Sequence, residues 1–141
     1  MDISNTYVLE RQIGFVMRRA VQRHIAIFSA LIPEMTPTQF AALAKLCELD
    51  QASQNELGRL TSMDVATIKG VVDRLIARGL LRTAPDPDDR RRHLVSLTPA
   101  GVELIDEAVE AAIRVSAETL APLREREKET LLKLLKKIGG E

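Results

Sequence analysis

A chain of 141 residues with a formal net charge of zero is long enough for one domain, and such a domain buries roughly two-thirds of its unfolded surface. Aromatics are only 3% of it, so the core must come from Leu, Ile, Val and Ala, a bias that together with many Glu, Arg and Lys favours helices. The single cysteine, Cys47, rules out an internal disulfide, and two histidines beside it are too few for a structural zinc site.

Thr6–Leu31 reads as a long helix, with Leu9, Ile13, Val16, Met17, Ala20, His24, Ile27, Phe28 and Leu31 at helical spacing. Ile32-Pro33 ends it. Thr36-Pro37 starts a second helix, with Thr36 as N-cap, Pro37 at the first helical position and Gln39 completing a capping box. That helix carries Phe40, Leu43, Leu46 and Cys47 and stops near Asp50. Its apolar run makes Cys47 a buried small hydrophobe.

Ser53–Leu60 reads as a short helix capped by Ser53, with Glu56 as the far half of a capping box. Thr61-Ser62-Met63 is a turn, and Asp64 caps a helix over Val65–Arg78. Ile68, Val71, Val72, Leu75 and Ile76 form its inner face, and Gly79 is the stop. The period then changes. Leu80–Thr83 and His93–Leu97 read as strands joined by the turn-rich charged loop 84–92. Thr98-Pro99 caps a helix to about Leu120, Pro122 breaks it, and Arg124–Ile138 is a last amphipathic helix.

Two short helices joined by a tight turn and followed by a hairpin are the parts of a winged helix-turn-helix. The fold class expected is therefore mainly α with a small β-hairpin wing, flanked by N- and C-terminal helical regions. Charge is distributed accordingly: residues 53–98 carry eight basic and six acidic side chains, and four of those arginines fall between Arg82 and Arg92. Local clustering matters more than the total when phosphate is the partner.

Ala66, Thr67, Lys69 and Gly70 point away from the inner face of the 65–78 helix, giving it the narrow polar front that a major groove admits. Ser53, Thr61 and Ser62 sit where hydroxyls and helix N-terminal amides meet phosphate. Arg74 and Arg78, later in the helix, suit phosphate or structural pairing. At the hairpin tip, Arg91 suits a narrow minor groove, Asp89 holds an arginine in the loop, and Arg90 and Arg92 meet phosphate.

The stretch Gln54-Asn55-Glu56-Leu57-Gly58, Val72-Asp73-Arg74-Leu75, Arg78-Gly79-Leu80-Leu81, Asp86-Pro87-Asp88-Asp89-Arg90-Arg91 and Val95-Ser96-Leu97-Thr98-Pro99-Ala100-Gly101 resembles the MarR family. The resemblance covers the chain in element order and is motif-level from about Pro37 to Gly101. It implies a two-fold dimer in which the N-terminal helix and the last two helices interlock, and a cytoplasmic repressor of a palindromic or pseudopalindromic double-stranded DNA operator. By this resemblance Asp89 and Arg91 take the wing-tip positions, and Asp73 and Arg74 fall on an Asp-Arg pair in the recognition helix. Asp73 and Asp89 then act as supports of the wing.

The expected division is residues 1–35 as N-terminal dimerisation helix and ligand site, 36–98 as DNA-binding domain and 99–141 as C-terminal dimerisation helices. Leu9 and Ile13 early, and Leu120, Leu123, Leu131, Leu132, Leu134, Leu135 and Ile138 late, are more apolar surface than one small winged-helix core covers. In the first helix, Arg18 lies next to the apolar stripe and His24 on it. A cation and an imidazole lining an apolar crevice suit a small carboxylate or phenolate. The run is similar to that of MarR-type regulators of aromatic-acid catabolism, which makes Arg18 and His24 the ligand candidates for a small aromatic acid.

Rival classes are an enzyme, a redox sensor working through Cys47, and a winged helix that binds protein rather than DNA. Catalysis lacks a carrier: there is no Gly-rich phosphate loop and no Gly-x-Ser-x-Gly elbow. Asp86, Asp88 and Asp89 sit in an exposed loop without a pocket to tune them. No cofactor or metal is expected. No run of about 18 apolar residues suggests a membrane span, and Met1–Glu10 lacks a basic n-region, which reads as a cytoplasmic chain without a membrane partner.

Overall fold

The computed structural model describes residues 6–141. A short 3-10 turn, Leu9–Arg11, precedes α1 (Ile13–Leu31); α2 (Pro37–Leu49), β1 (Gln51–Ser53), α3 (Gln54–Leu60) and α4 (Val65–Ala77) follow. The chain continues through β2 (Leu81–Pro85), β3 (His93–Leu97), α5 (Pro99–Leu120) and α6 (Glu125–Ile138). Helices and a three-stranded antiparallel sheet thus make the expected mainly-α winged-helix architecture. The first helix begins later than its periodicity suggests, because Gln12 adopts an extended conformation (φ −86°, ψ 136°) and separates the turn from α1.

The chain divides into two compact units. Ile32–Ala111 forms one; the two ends of the chain, through Leu31 and from Ala112 onward, form the other.

In the central unit the helix starts are set by side-chain caps. Thr36 Oγ1 accepts from the Gln39 backbone N–H at 3.2 Å, and Gln39 Oε1 accepts from the Thr36 N–H at 3.2 Å, so the capping box is complete. Gln39 is buried and its Oε1 also accepts from Arg78 Nη1 at 3.1 Å. Arg78 is therefore a structural pair tying the start of α2 to the end of α4. Asp64 Oδ1 accepts from the Thr67 N–H at 2.7 Å and caps α4. Gly79 ends that helix at φ 74°, a left-handed conformation that glycine adopts without a Cβ penalty.

The core of this unit is aliphatic: Leu43, Leu46, Leu57, Ile68, Val71, Val72, Leu75 and Val95 are essentially fully buried. Each such side chain contributes roughly 1.5–3 kcal/mol by leaving water. Ile76, expected on the inner face, is 38% exposed at the end of the buried stripe. Gly58 lets α3 and α4 cross closely, since a Cβ there would stand 2.9 Å from Ile68 Cγ2.

The sheet runs β1-β3-β2, with Ala52 opposite Val95, Leu81 opposite Leu97 and Pro85 opposite His93. The hairpin is longer than expected, reaching Pro85, and β1 is an addition to the expected elements because three residues are too few to show alternation. At its base the Thr98 N–H donates to the Leu80 carbonyl at 3.1 Å, and Thr98 Oγ1 donates to the Gly79 carbonyl at 2.6 Å. A Cβ at Gly101 would collide with the Leu80 carbonyl oxygen. These contacts account for the Thr98-Pro99-Ala100-Gly101 motif as the joint between hairpin and α5.

In the unit of the chain ends, α1, the end of α5 and α6 carry a broad apolar surface. Ile13, Val21, Ile113, Leu132, Leu134 and Ile138 are all at least half exposed.

Candidate nucleic-acid interface

α4 presents a polar front over an apolar back. Ala66, Thr67 and Lys69 are exposed and Gly70 half-buried, while Ile68, Val71, Val72 and Leu75 are buried. Small side chains at 66 and 70 let another molecule approach the helix backbone. The guanidinium of Arg74 folds back along this face, so that a Cβ at Gly70 would come within 3.1 Å of Nη2. Lys69 Nζ pairs with Asp73 Oδ2 at 2.8 Å, both side chains being more than half exposed. Such a surface i,i+4 pair is worth a few tenths of a kcal/mol, little enough for phosphate to claim the ammonium. Asp73, expected to support the wing, is thus engaged within α4 itself.

The turn between the two helices carries mixed roles. Ser53 Oγ accepts from the Glu56 N–H at 3.3 Å as the cap of α3. Thr61 Oγ1 donates to the Leu57 carbonyl at 2.7 Å, closing the end of α3, so only its acceptor lone pairs remain for a partner. Ser62 is exposed in a left-handed conformation (φ 57°).

The wing tip is built by its aspartates. Asp86 Oδ1 accepts from the Asp88 N–H at 2.9 Å, and Asp89 Oδ1 accepts from the Arg91 N–H at 3.0 Å. Asp89 therefore supports the loop through the Arg91 backbone, not through a guanidinium as the sequence suggests. Arg90 and Arg91 make no ion pair among the described residues, and both are exposed. Arg92 differs: Nη2 lies 3.5 Å from Glu56 Oε2 and Nε 3.8 Å from Asp86 Oδ2. Glu56 turns its carboxylate to Arg92, which leaves the expected capping box of α3 half made. A polar cleft of about 320 Å³ lies between Ser53–Asn55 and the Asp89, Arg91 and Arg92 side of the wing.

The ligand candidates fall apart in space. His24 is half-buried, its Nδ1 2.8 Å from Thr119 Oγ1, and it lines an apolar cavity of about 280 Å³ with Ala20, Ser116, Leu120, Leu131 and Leu135. Arg18 is exposed and does not line it. The basic side chain next to His24 is Arg23, whose guanidinium donates to the Glu118 and Thr119 carbonyls at 2.9 and 2.8 Å. Arg23 caps the C-terminus of α5, where a cation is favoured. Sequence periodicity gives no sign of a cap supplied from so far along the chain.

Cys47 is exposed, not buried as its apolar neighbourhood suggests. Partial burial raises its pKa, and the Asp106, Asp50 and Glu48 carboxylates push it in the same direction. A thiol held in the neutral form is a poor redox sensor despite its access to solvent. No group of His, Cys, Asp and Glu among the described residues is placed to hold a metal ion. No helix of the described residues is long and apolar enough to cross a membrane.

Comparison with known proteins agrees with this architecture. The MarR family model matches residues 34–92. The HTH-type transcriptional repressor NicR of Pseudomonas putida is 40% identical over 139 residues, covering 96% of this chain and 88% of NicR. A probable transcriptional regulator from Pseudomonas aeruginosa superposes with a TM-score of 0.91 at 51% identity, over 93% of this chain and 99% of its own. Bordetella bronchiseptica BpsR, whose DNA binding is regulated by 6-hydroxynicotinic acid, superposes with a TM-score of 0.92 at 39% identity, over 96% and 98% of the two chains.

Proposed function

The chain belongs to the MarR family of transcriptional regulators, and from that premise we propose that it is a cytoplasmic, homodimeric repressor of a palindromic operator, released by a small aromatic carboxylate. The observation that carries the DNA reading is the pairing of a polar α4 front with a tip whose Arg91 is fixed through its backbone while its guanidinium is uncommitted. Thr67, Lys69 and Arg74 serve the major groove and its phosphates; Ser53, Thr61, Ser62 and Arg90 serve the backbone, and Arg91 the minor groove. Dimerisation is supported by the exposed apolar residues of α1, α5 and α6. Two-fold symmetry sets paired recognition helices about one DNA turn apart.

The effector reading is supported by BpsR and its response to 6-hydroxynicotinic acid, and by the apolar cavity beside His24. His24 is the candidate polar partner there. Arg18 lies outside that cavity in the single chain; exposed and without an ion pair among the described residues, it is the candidate cation for a carboxylate held elsewhere along α1. Binding acts by population shift: the effector favours a recognition-helix spacing that mismatches the operator.

The test takes the purified chain through selection from a random-sequence duplex pool, then titrates the enriched duplex with 6-hydroxynicotinic acid and other aromatic carboxylates. Enrichment of a palindrome, and weaker binding with one of the acids that Arg18→Ala or His24→Ala abolishes, is the result expected. Absence of any enriched duplex favours a protein-binding winged helix. An affinity indifferent to every acid sinks the effector reading alone.

A further inference from the structure

Arg92 is engaged through its backbone and through two nitrogens of its guanidinium. Its backbone N–H donates to the Asp89 carbonyl at 3.0 Å, and its carbonyl accepts from the Asp86 N–H at 2.8 Å, so it closes the neck of the tip. Its guanidinium lies between Glu56 on α3, at 3.5 Å, and Asp86 at the end of the wing strand, at 3.8 Å. The Asp86 side chain is only 14% exposed, which makes it the fixed end of the arrangement. Neither neighbouring arginine has such partners. An anion approaching Arg92 meets two carboxylates as well, which weakens the pull of its guanidinium on phosphate relative to Arg90 and Arg91.

We infer that Arg92 is a positioning residue that clamps the wing to α3 through Asp86 and Glu56, and so sets the direction in which Arg91 leaves the tip. The clamp joins two elements that are 36 residues apart and that both border the polar cleft. A planar guanidinium suits the task, since it offers Nε to one carboxylate and Nη2 to the other; a lysine reaches only one. Exposed pairs of this kind add little to global stability. Their effect is on orientation, and a groove contact is sensitive to that.

The clamp stands on its own geometry; its consequence for DNA rests on the function proposed above. Two variants separate it from a phosphate contact. Glu56→Gln removes a negative charge near the DNA, and Gln serves as well as Glu at the third position of a helix. Arg92→Lys keeps the positive charge. In the DNA-free full-length protein, both are expected to speed amide hydrogen exchange at Asp86 by about two- to five-fold, the range that loss of an exposed ion pair allows. Unchanged exchange in both overturns the clamp whatever the protein binds.

On the duplex enriched by the wild type, both variants are expected to bind about two- to five-fold more weakly, with an unchanged salt slope. A phosphate role gives the opposite pattern, with Glu56→Gln tighter and Arg92→Lys near wild type, and that outcome overturns the inference. Should the wild type enrich no duplex, the DNA reading falls and the exchange measurement still decides the clamp.

Discussion

Asp89 Oδ1 accepts the Arg91 backbone N–H at 3.0 Å, so the aspartate orders the tip without engaging the arginine's charge. A guanidinium presented this way enters a narrow groove with little further ordering to do. Arg91→Ala is expected to cost on the order of 1–3 kcal/mol of operator affinity and to lower the salt slope by about 1, with the fold intact. Fluorescence anisotropy across a salt series reads both, beside a thermal melt. An unaltered affinity removes Arg91 from the interface.

The crossing of α3 on α4 leaves no room for a side chain at Gly58. A Cβ there would stand 2.9 Å from Ile68 Cγ2 and 3.2 Å from the Met63 carbonyl oxygen, so Gly58→Ala forces a fully buried isoleucine to move. Overpacking of this kind costs about 1–3 kcal/mol. Denaturant unfolding of the variant is the measurement; a stability equal to wild type means that the two helices slide apart freely.

The Asp64 carboxyl is held below the ordinary carboxylate range, chiefly by its hydrogen bonds with the Thr67 backbone and side chain. A depressed folded-state pKa stabilises the protein above the unfolded pKa and loses that contribution as pH falls through the folded one. The first turn of α4 is therefore expected to loosen below about pH 4 and to be insensitive between about pH 5 and 8. Amide exchange at Thr67 across this range checks it, and Asp64→Asn, which caps without titrating, is expected to abolish the acid transition.

Cys47 combines exposure with a raised pKa. At neutral pH its thiol is expected to react with iodoacetamide more slowly than free cysteine, and the rate is expected to climb only as pH rises past the usual thiol range. A rate above that of free cysteine at neutral pH restores the redox reading.

What the sequence disclosed was local. Thr36-Pro37-Gln39, Asp64 and Gly79 each determine their own backbone within one turn, so the helix boundaries they mark were legible. The winged-helix order followed from those boundaries and the change of period at Leu80. Partners remote in sequence were not legible. Glu56 reads as half of a capping box and instead meets Arg92; Arg23 reads as one more surface arginine and instead caps α5. Ile76 and Cys47 sit at the margins of apolar stripes, where periodicity does not say how far the neighbouring layer extends. Arg18 and His24, six residues apart on one helix, differ by about 120° of rotation, which is reason enough that the cavity beside His24 excludes Arg18.

The joint at Gly101, where no side chain fits against the Leu80 carbonyl, constrains how such a protein can be rebuilt. The hairpin hangs from a hinge pin of fixed dimensions, with Gly79, Leu80 and Thr98 forming its socket. A new tip for a different recognition sequence can be grafted between Asp86 and Arg92, which close the neck of the loop just beyond the strand ends at Pro85 and His93. Transplants cut at the socket itself would bring in a wing with nothing to hang from. A designer can therefore change the tip between its neck residues but has to keep the pin.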